Sequence, residues 1–185
     1  AALVTKPSLL LLDEPIADLD EQATDRVIAL LTELHASTGV TIIIAEHRWA
    51  VLASIADVRL ELDVEADEPD SRVSTSVSMS AHGTGPRYDS KITPLVAPNG
   101  AGKTTWLTAF AKTHAAHVRL VPEDPALLFS RATVEAECAH NDRLARVTRG
   151  TTGQLLRRLV TDVPMDAHPR DLSTGQRLAL ACALQ

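Results

Sequence analysis

One glycine-rich segment has the composition of a loop that binds phosphate groups. Residues 99–105 read Asn-Gly-Ala-Gly-Lys-Thr-Thr. Backbone N–H groups at the start of a helix bind phosphate oxygens, and glycine lets that backbone approach them closely. Lys103 would add positive charge near the β- and γ-phosphates, and the Thr104 hydroxyl would contact Mg²⁺. The pattern predicts a nucleotide-phosphate site made of Asn99, Gly100, Ala101, Gly102, Lys103, Thr104 and Thr105.

The full phosphate-loop pattern has a glycine six residues before its lysine. This sequence has Ala97 at that position. The departure is expected to affect the loop geometry and the rate of hydrolysis more than nucleotide binding. The surrounding sequence fits the motif, because the apolar run Ile92–Ala97 predicts a strand before the loop. A helix is expected to begin at about Lys103.

A second segment ends a buried strand with two acids. The aliphatic run Leu9–Leu12 has the length of a strand and is followed by Asp13 and Glu14. Asp13 would hold Mg²⁺, and Glu14 would polarise an attacking water molecule. A further apolar run, Val40–Ala45, closely precedes His47. A histidine at the same sheet edge can contact a γ-phosphate.

The segment Leu172–Gln176 (Leu-Ser-Thr-Gly-Gln) is a third candidate site. A serine followed three residues later by glutamine is a capping box, which starts a helix without any ligand. A serine-capped helix start that contains glycine also binds anions, so the two roles are compatible. We therefore expect a last helix from Ser173, with Ser173, Gly175 and Gln176 as candidate phosphate contacts.

The elements that must position these residues alternate between strand and helix. The two apolar runs predict strands, and Asp20 and Gly39 would cap a helix between them. Strand–helix–strand is the unit of a parallel α/β sheet. The apolar face of this helix consists of Val27, Ile28, Leu30, Leu31 and Leu34.

Composition changes near the middle of the chain. The stretch 63–70 is acidic and interrupted by Pro69, which predicts a solvated linker and a domain boundary. Val73–Met79 alternates apolar residues with serine, as a strand does, and His82–Pro86 predicts a turn. The other expected elements are a short helix from Arg48, strands near 58–62 and 118–121, and helical structure within 135–165.

Composition excludes several classes of protein. The net charge is −6 and aromatic residues make up only 3% of the chain, which argues against a nucleic-acid-binding surface. The longest run of leucine, isoleucine and valine alone, Leu9–Leu12, is far too short to span a membrane. Cys138 and Cys182 have no metal-ligand spacing around them, which favours reduced thiols in a cytosolic protein.

Together these motifs resemble the ATP-binding-cassette (ABC) ATPases. The phosphate loop is similar to the Walker A motif, and the strand ending in Asp13 and Glu14 is similar to Walker B. Ala17–Asp20 resembles the D-loop, His47 the switch histidine, and Leu172–Gln176 the Leu-Ser-Gly-Gly-Gln signature with Thr174 in place of the first glycine. The resemblance implies an α/β fold, a P-loop NTPase with a RecA-like parallel sheet flanked by helices and a helical signature subdomain.

At the level of the subfamily, the sequence resembles the energy-coupling-factor ATPases, which drive uptake of vitamins, cobalt or nickel. It rests on Ala45–Arg48 (Ala-Glu-His-Arg), Leu120–Pro125 and Thr133–Glu135. In the family a glutamine usually occupies the position of Glu123, where it contacts Mg²⁺ and the attacking water. The resemblance therefore implies a metal contact for Glu123, although its negative charge would lie beside the phosphates.

The order of the motifs is reversed relative to the family, in which the signature helix leads into the Walker B strand. Joining the end of this chain to its beginning restores that order. We expect a tandem two-cassette arrangement in which 1–62 is the rear half of cassette one, 63–72 is an acidic linker and 73–185 is the front half of cassette two. A circularly permuted cassette remains the alternative, and a fragment can also collapse into a single core. The first residue, Ala1, is not a methionine and is not expected to be a native start.

The resemblance implies ATP hydrolysis that drives membrane import, with ATP and Mg²⁺ bound between two head-to-tail cassettes. Membrane-embedded subunits would be separate polypeptides, and the cassettes would lie at the cytoplasmic face of the plasma membrane. On this interpretation Glu14, His47 and Asp20 act in catalysis, and Asp13, Thr104 and Glu123 contact the metal. Alternatives are a non-transport ABC ATPase of the translation or repair type, and a degenerate nucleotide-binding regulator. In the tandem arrangement the isolated chain would hydrolyse ATP poorly or not at all.

Overall fold

The protein is described by a computed structural model for residues 7–17, 19–57, 59–62, 77–78, 92–97 and 100–185. Six strands form one sheet in the order β4-β3-β5-β2-β1-β6. β4 is antiparallel to β3, and all other pairs are parallel. The strands are β1 (Leu9–Asp13), β2 (Thr41–Ala45), β3 (Leu60–Leu62), β4 (Val77–Ser78), β5 (Ile92–Val96) and β6 (Val118–Val121).

The central strands are buried on both faces, as their continuous apolar runs predict. Leu10 and Leu12 contribute to one core cluster, and Leu9 and Leu11 contribute to the other. This division follows from the alternation of side chains along a strand. The sheet therefore separates two apolar layers, one on each face.

Helices cover both layers. α3 packs its Leu107 against the cluster that contains Leu9 and Leu11. The opposite cluster receives the apolar faces of α1, α4, α5 and α6. The helices are α1 (Glu21–Thr38), α2 (Trp49–Leu52), α3 (Lys103–Thr113), α4 (Val134–Leu144), α5 (Thr151–Leu159) and α6 (Thr174–Leu184), with 3₁₀ turns at Pro125–Leu128 and Pro169–Asp171.

The first helix has the caps and the face that its sequence predicts. The Asp20 side chain accepts a hydrogen bond from the Ala23 N–H at 2.7 Å. Gly39 ends the helix in a left-handed conformation, with φ of 71°. Val27, Leu30, Leu31 and Leu34 are buried, and Ile28 is partly buried.

Strands from both ends of the chain belong to this single sheet. β1 and β2 lie within 1–62, whereas β5 and β6 lie within 73–185. β5 pairs with β2, and β6 pairs with β1. The sequence allowed this arrangement for a permuted cassette or a collapsed fragment. The assignment of the two ranges to successive cassettes stays a prediction.

Several predicted features lie outside the described residues. They are the linker 63–72, the turn His82–Pro86, most of the alternating run Val73–Met79, and Asn99 of the phosphate loop. Among the helices that are described, none is long and apolar enough to cross a membrane.

Candidate functional site

The candidate site forms where neighbouring parallel strands end. β1 and β2 are paired in register, with Asp13 opposite Ala45. Glu14 therefore follows β1 at the same edge at which His47 follows β2. β5 is the next strand, and it brings the glycine loop and α3 to this edge. Ligands of open α/β sheets bind at this carboxyl edge of the strands.

Lys103 links the glycine loop to the acidic end of β1. Its side chain is only 5% exposed, and its Nζ lies 3.2 Å from Glu14 Oε1. The same ammonium donates a hydrogen bond to the Ala97 carbonyl at 3.2 Å. The lysine of the phosphate loop thus contacts the acid that follows β1 within one chain. A γ-phosphate that replaced the Glu14 carboxylate at this ammonium would leave that acid available to a water molecule.

Glu14 has an unusual backbone conformation, with φ of 45°. Left-handed conformations are uncommon for residues other than glycine and often occur at functional sites. The Glu14 N–H donates to the Ala45 carbonyl at 2.9 Å, which holds the turn against β2. Its Oε2 lies 3.7 Å from His47 Nδ1. The two carboxylate oxygens of Glu14 therefore face a lysine and a histidine.

Asp13 fits a metal ligand. It is 3% exposed, and its Oδ1 has no hydrogen-bond partner in the described part of the chain. Burial raises the pKa of Asp13, and the nearby Glu14 raises it further, whereas a hydrogen bond from Thr104 and the charge of Lys103 lower it. A buried carboxylate oxygen without a partner, next to a hydroxyl, is the donor set that Mg²⁺ prefers.

Few protein groups would be available to this metal. Among the described residues, no group of three or more His, Cys, Asp or Glu side chains could hold a metal ion. Mg²⁺ keeps several water molecules and is commonly held by one or two carboxylates together with substrate phosphates. Asp13 and the Thr104 hydroxyl fit such a site, and the predicted contributions of Glu123 and of phosphate oxygens stay predictions. When bound, Mg²⁺ would offset phosphate charge.

A cavity of about 460 Å³ lies beside Asp13 and Thr104. Four acids line it, and Arg177 contributes the positive charge among its lining residues. Glu123 is exposed and lines this cavity two residues after β6, and its metal contact stays a prediction. The acidic lining residues are Asp13, Glu14, Glu123 and Asp124.

The glycine loop has the conformation that its glycines permit. Gly100 and Gly102 have φ of 82° and 88°, and α3 begins directly after Gly102. Ala97 is buried and has no left-handed φ, so its methyl group causes no backbone strain there. Ala101 and Gly102 are partly buried, and Thr104 and Thr105 at the start of α3 are exposed.

The signature segment begins α6 through the predicted capping box. The Ser173 hydroxyl accepts from the Gln176 N–H at 3.3 Å, and Gln176 Oε1 accepts from the Ser173 N–H at 2.9 Å. Space is open where a Cβ on Gly175 would lie. Ser173, Gly175 and Gln176 are not among the residues that line the cavity. Asp20 likewise serves as a helix cap, and its predicted catalytic role stays a prediction.

The structure adds residues that the sequence prediction missed. Thr174 and Arg177 line the cavity, and the Arg177 Nη2 donates to the Thr174 hydroxyl at 3.3 Å. Their spacing of three residues on α6 places them on one helix face, which was a usable signal. Glu46 is completely buried beside His47, and its position directly after β2 was the only sequence signal.

These features define the class of protein. A largely parallel sheet flanked by helices, with a strand, a glycine loop and a helix from β5 to α3, is the fold of a P-loop NTPase. Within that class, the chain is similar to ATP-binding proteins of ABC transporters. No protein-family model and no solved structure matches it significantly.

The matching proteins are much longer than the part they share with this chain. An ABC transporter ATP-binding protein of Streptomyces coelicolor is 39% identical over 112 residues, covering 49% of this chain and 20% of the relative. An ABC transporter ATP-binding protein of Streptomyces avermitilis is 38% identical over 116 residues, covering 51% of this chain and 21% of the relative. The methionine import ATP-binding protein of Corynebacterium efficiens is 46% identical over 56 residues, covering 30% and 16%. The chain thus spans about a fifth or less of these relatives.

Proposed function

We propose that this chain forms ATP-binding and ATP-hydrolysing parts of an ABC transporter of the energy-coupling-factor type, which drives import across a membrane. The observation that carries the proposal is the contact between Lys103 and Glu14. It brings a phosphate-loop lysine and a candidate base together from separate segments. The names of the relatives, which include import ATP-binding proteins, support a transport role.

The geometry supports a different role for each of these side chains. Lys103 and the N–H groups at the start of α3 would bind the β- and γ-phosphates. Glu14 would accept a proton from the attacking water, and His47 would contact the γ-phosphate. Asp13 and Thr104 would hold the metal at the same phosphates. The negative charges of these acids would be offset once Mg²⁺ is bound.

The proposed partners are membrane-embedded subunits and a second cassette in a head-to-tail dimer. The exposed capping box of α6, with Ser173, Gly175 and Gln176 outside the cavity, is compatible with contact to a nucleotide on another cassette. We place the assembly at the cytoplasmic face of the plasma membrane. A dimer of this kind opens and closes as ATP is bound and hydrolysed.

Two assemblies remain for the parent protein. In the tandem assembly, 1–62 and 73–185 belong to successive cassettes, and each is completed by segments outside this chain. In the permuted assembly, the contact of Lys103 with Glu14 is the working arrangement. That contact supports a single nucleotide site in the chain taken alone. The tandem assembly stays our proposal for the parent protein.

Binding of Mg²⁺-ATP to the purified chain, measured by isothermal titration calorimetry, tests the proposed function. We expect saturable binding with a stoichiometry of one, weakened in Lys103→Met and unchanged in Lys112→Met, which changes an exposed lysine of the same helix. A folded chain that binds no Mg²⁺-ATP would overturn the proposal. Robust Mg²⁺-dependent turnover, abolished by Glu14→Gln, would contradict the tandem assembly and support the permuted one.

One observation favours a second candidate, a nucleotide-binding regulator. Glu123 stands where the resembling family usually has glutamine, and it shares the cavity with three other acids. Extra negative charge near the phosphates would lower the hydrolysis rate more than the affinity for nucleotide. The reason is that Mg²⁺ offsets charge in the bound state. This candidate would be favoured if the full-length parent protein binds nucleotide without hydrolysing it, and if Glu123→Gln restores hydrolysis.

A further inference from the structure

Glu46 is a completely buried acid to which the proposed function assigns no role. It follows β2 directly, and its side chain is 0% exposed. An ionised carboxylate is costly to bury unless its oxygens are paired. Its Oε1 accepts from the N–H groups of His47 at 2.9 Å and Arg48 at 3.0 Å. The carboxylate therefore fixes the turn that carries the histidine.

The same oxygen also lies 3.0 Å from Nδ1 of the His47 ring. A carboxylate oxygen only accepts hydrogen bonds, so an unprotonated ring nitrogen at this distance would place two lone pairs against each other. Nδ1 must therefore carry the proton. In the neutral ring, Nε2 is then the nitrogen without a proton.

Glu14 competes for the same proton at a greater distance. Its Oε2 lies 3.7 Å from His47 Nδ1, compared with 3.0 Å for Glu46 Oε1. The closer oxygen belongs to the buried acid, where an ion pair is screened less by water than at the surface. Glu46 thus holds the Nδ1 proton away from Glu14 and leaves the Glu14 oxygen available to water.

A further contact fixes the turn on its other side. The Arg48 guanidinium donates to the Ile16 carbonyl, in the segment that follows Glu14. The turns after β1 and β2 are therefore tied together, with Glu46 inside one and Glu14 at the start of the other. A shift of the His47 turn would alter the spacing between the histidine and the candidate base.

We propose that Glu46 is a positioning residue that fixes His47 in its Nδ1-protonated tautomer and holds its ring beside Glu14. The proposal rests on the proposed function for its purpose, but the tautomer itself is a property of the chain without nucleotide. Glu46 does not contact the phosphates, and its effect on hydrolysis is exerted through His47. The second oxygen, Oε2, has no hydrogen-bond partner within the described residues, so the whole hydrogen-bonding role falls on Oε1.

The test is nitrogen-15 NMR of the full 185-residue chain labelled at its histidine rings. Spectra are recorded without nucleotide at about pH 8, where an imidazole in water is neutral. The His47 signals are those missing from His47→Gln. We expect the pyrrole-type shift at Nδ1 and the pyridine-type shift at Nε2. The opposite assignment in the unmodified chain would overturn the proposal without any variant of Glu46.

Two substitutions of Glu46 distinguish a role in positioning His47 from a role in stabilising the fold. In Glu46→Ala, the pyrrole-type shift is expected to move to Nε2, the tautomer that usually prevails in water. In Glu46→Gln, the amide oxygen can still accept from Nδ1, and the original tautomer is expected to remain. The control Glu33→Ala removes an exposed acid on α1 and should change nothing. An unchanged tautomer in a folded Glu46→Ala chain would also overturn the proposal, and these outcomes do not depend on ATP binding.

Discussion

Lys103 Nζ and Glu14 Oε1 lie 3.2 Å apart, although the two residues come from opposite halves of the chain. The Lys103 side chain is 5% exposed and that of Glu14 is 20% exposed, so this is not a fully exposed surface ion pair. In the absence of a phosphate, each neutralises the other. On the proposed function, a bound phosphate would compete with Glu14 for the Lys103 ammonium.

Glu14→Gln is expected to strengthen ATP binding by the isolated chain and to abolish ATP hydrolysis by the full-length parent protein. The amide leaves Lys103 without its anionic partner and removes repulsion between Glu14 and the γ-phosphate. Loss of a general base lowers the rate by about 10²- to 10⁴-fold. Single-turnover assays with labelled ATP measure the rate, and calorimetry measures the dissociation constant. Glu33→Gln is the matched control, and weaker ATP binding in Glu14→Gln would contradict the ion-pair explanation.

Lys103→Met is expected to weaken Mg²⁺-ATP binding by about 10- to 100-fold, because a hydrogen bond to a charged group contributes about 1.5–3 kcal/mol. Methionine keeps the apolar stem in the buried environment, so the fold should persist. Titration calorimetry of Lys103→Met and Lys112→Met gives the comparison. Equal affinities in the two variants would show that Lys103 does not contact the phosphates.

Asp13→Asn is expected to stabilise the metal-free chain at neutral pH. Since the pKa of Asp13 is raised in the fold, the native state binds its proton more readily than the unfolded chain does. Asp13 therefore adds to the free energy of unfolding at low pH, where it is protonated. This stabilisation is lost as the pH rises from 3.8 through the raised pKa. The variant should therefore have a higher Tm than the unmodified chain at neutral pH, and the difference should shrink in acid.

The same Asp13→Asn chain should lose the increase in Tm that Mg²⁺-ATP confers, because a neutral amide is a poor ligand for this ion. Thermal unfolding with and without Mg²⁺-ATP measures both effects. A lower Tm of the variant at neutral pH without metal would contradict the explanation that the buried charge is costly.

Ser173→Ala is expected to lower the free energy of unfolding by about 1 kcal/mol, because the capping box of α6 is lost. Ser173→Asp keeps an N-cap acceptor and should retain most of that stability. Urea denaturation followed by circular dichroism gives the comparison. If the signature contacts a nucleotide on another cassette, neither variant should change ATP affinity of the isolated chain. A large loss of affinity in both would place Ser173 in the chain's own site.

Gly102→Ala is expected to destabilise the chain by about 1–2 kcal/mol, because its φ of 88° is left-handed and disfavours a Cβ. Gly153→Ala is the opposite case, since Gly153 lies inside α5 and the added Cβ would meet its nearest neighbour, the methyl group of Met165, at 3.7 Å. That substitution should add about 0.5–1 kcal/mol of helix stability. Chemical denaturation of both variants is the measurement, and equal effects would contradict the conformational explanation.

Local features of this protein were predictable because neighbouring residues determine them. The run Leu9–Leu12 predicts a buried strand, since few other environments accept four consecutive leucines. Asp20, Gly39 and Ser173 predict helix ends, because each forms its hydrogen bonds within one turn of the chain. Residue types alone also predicted which side chains carry phosphate chemistry, and that assignment stays a prediction.

Only the tertiary structure decided which of these groups meet. Apolar periodicity does not specify the neighbour of a strand, so the sequence left open whether β5 pairs with β2. That pairing decides that Lys103 contacts Glu14 within one chain. Likewise, the burial of Glu46 and the cavity face of Arg177 depend on elements packed from distant segments. The sequence therefore determined the chemistry of the residues, and the sheet order determined which of them share a site.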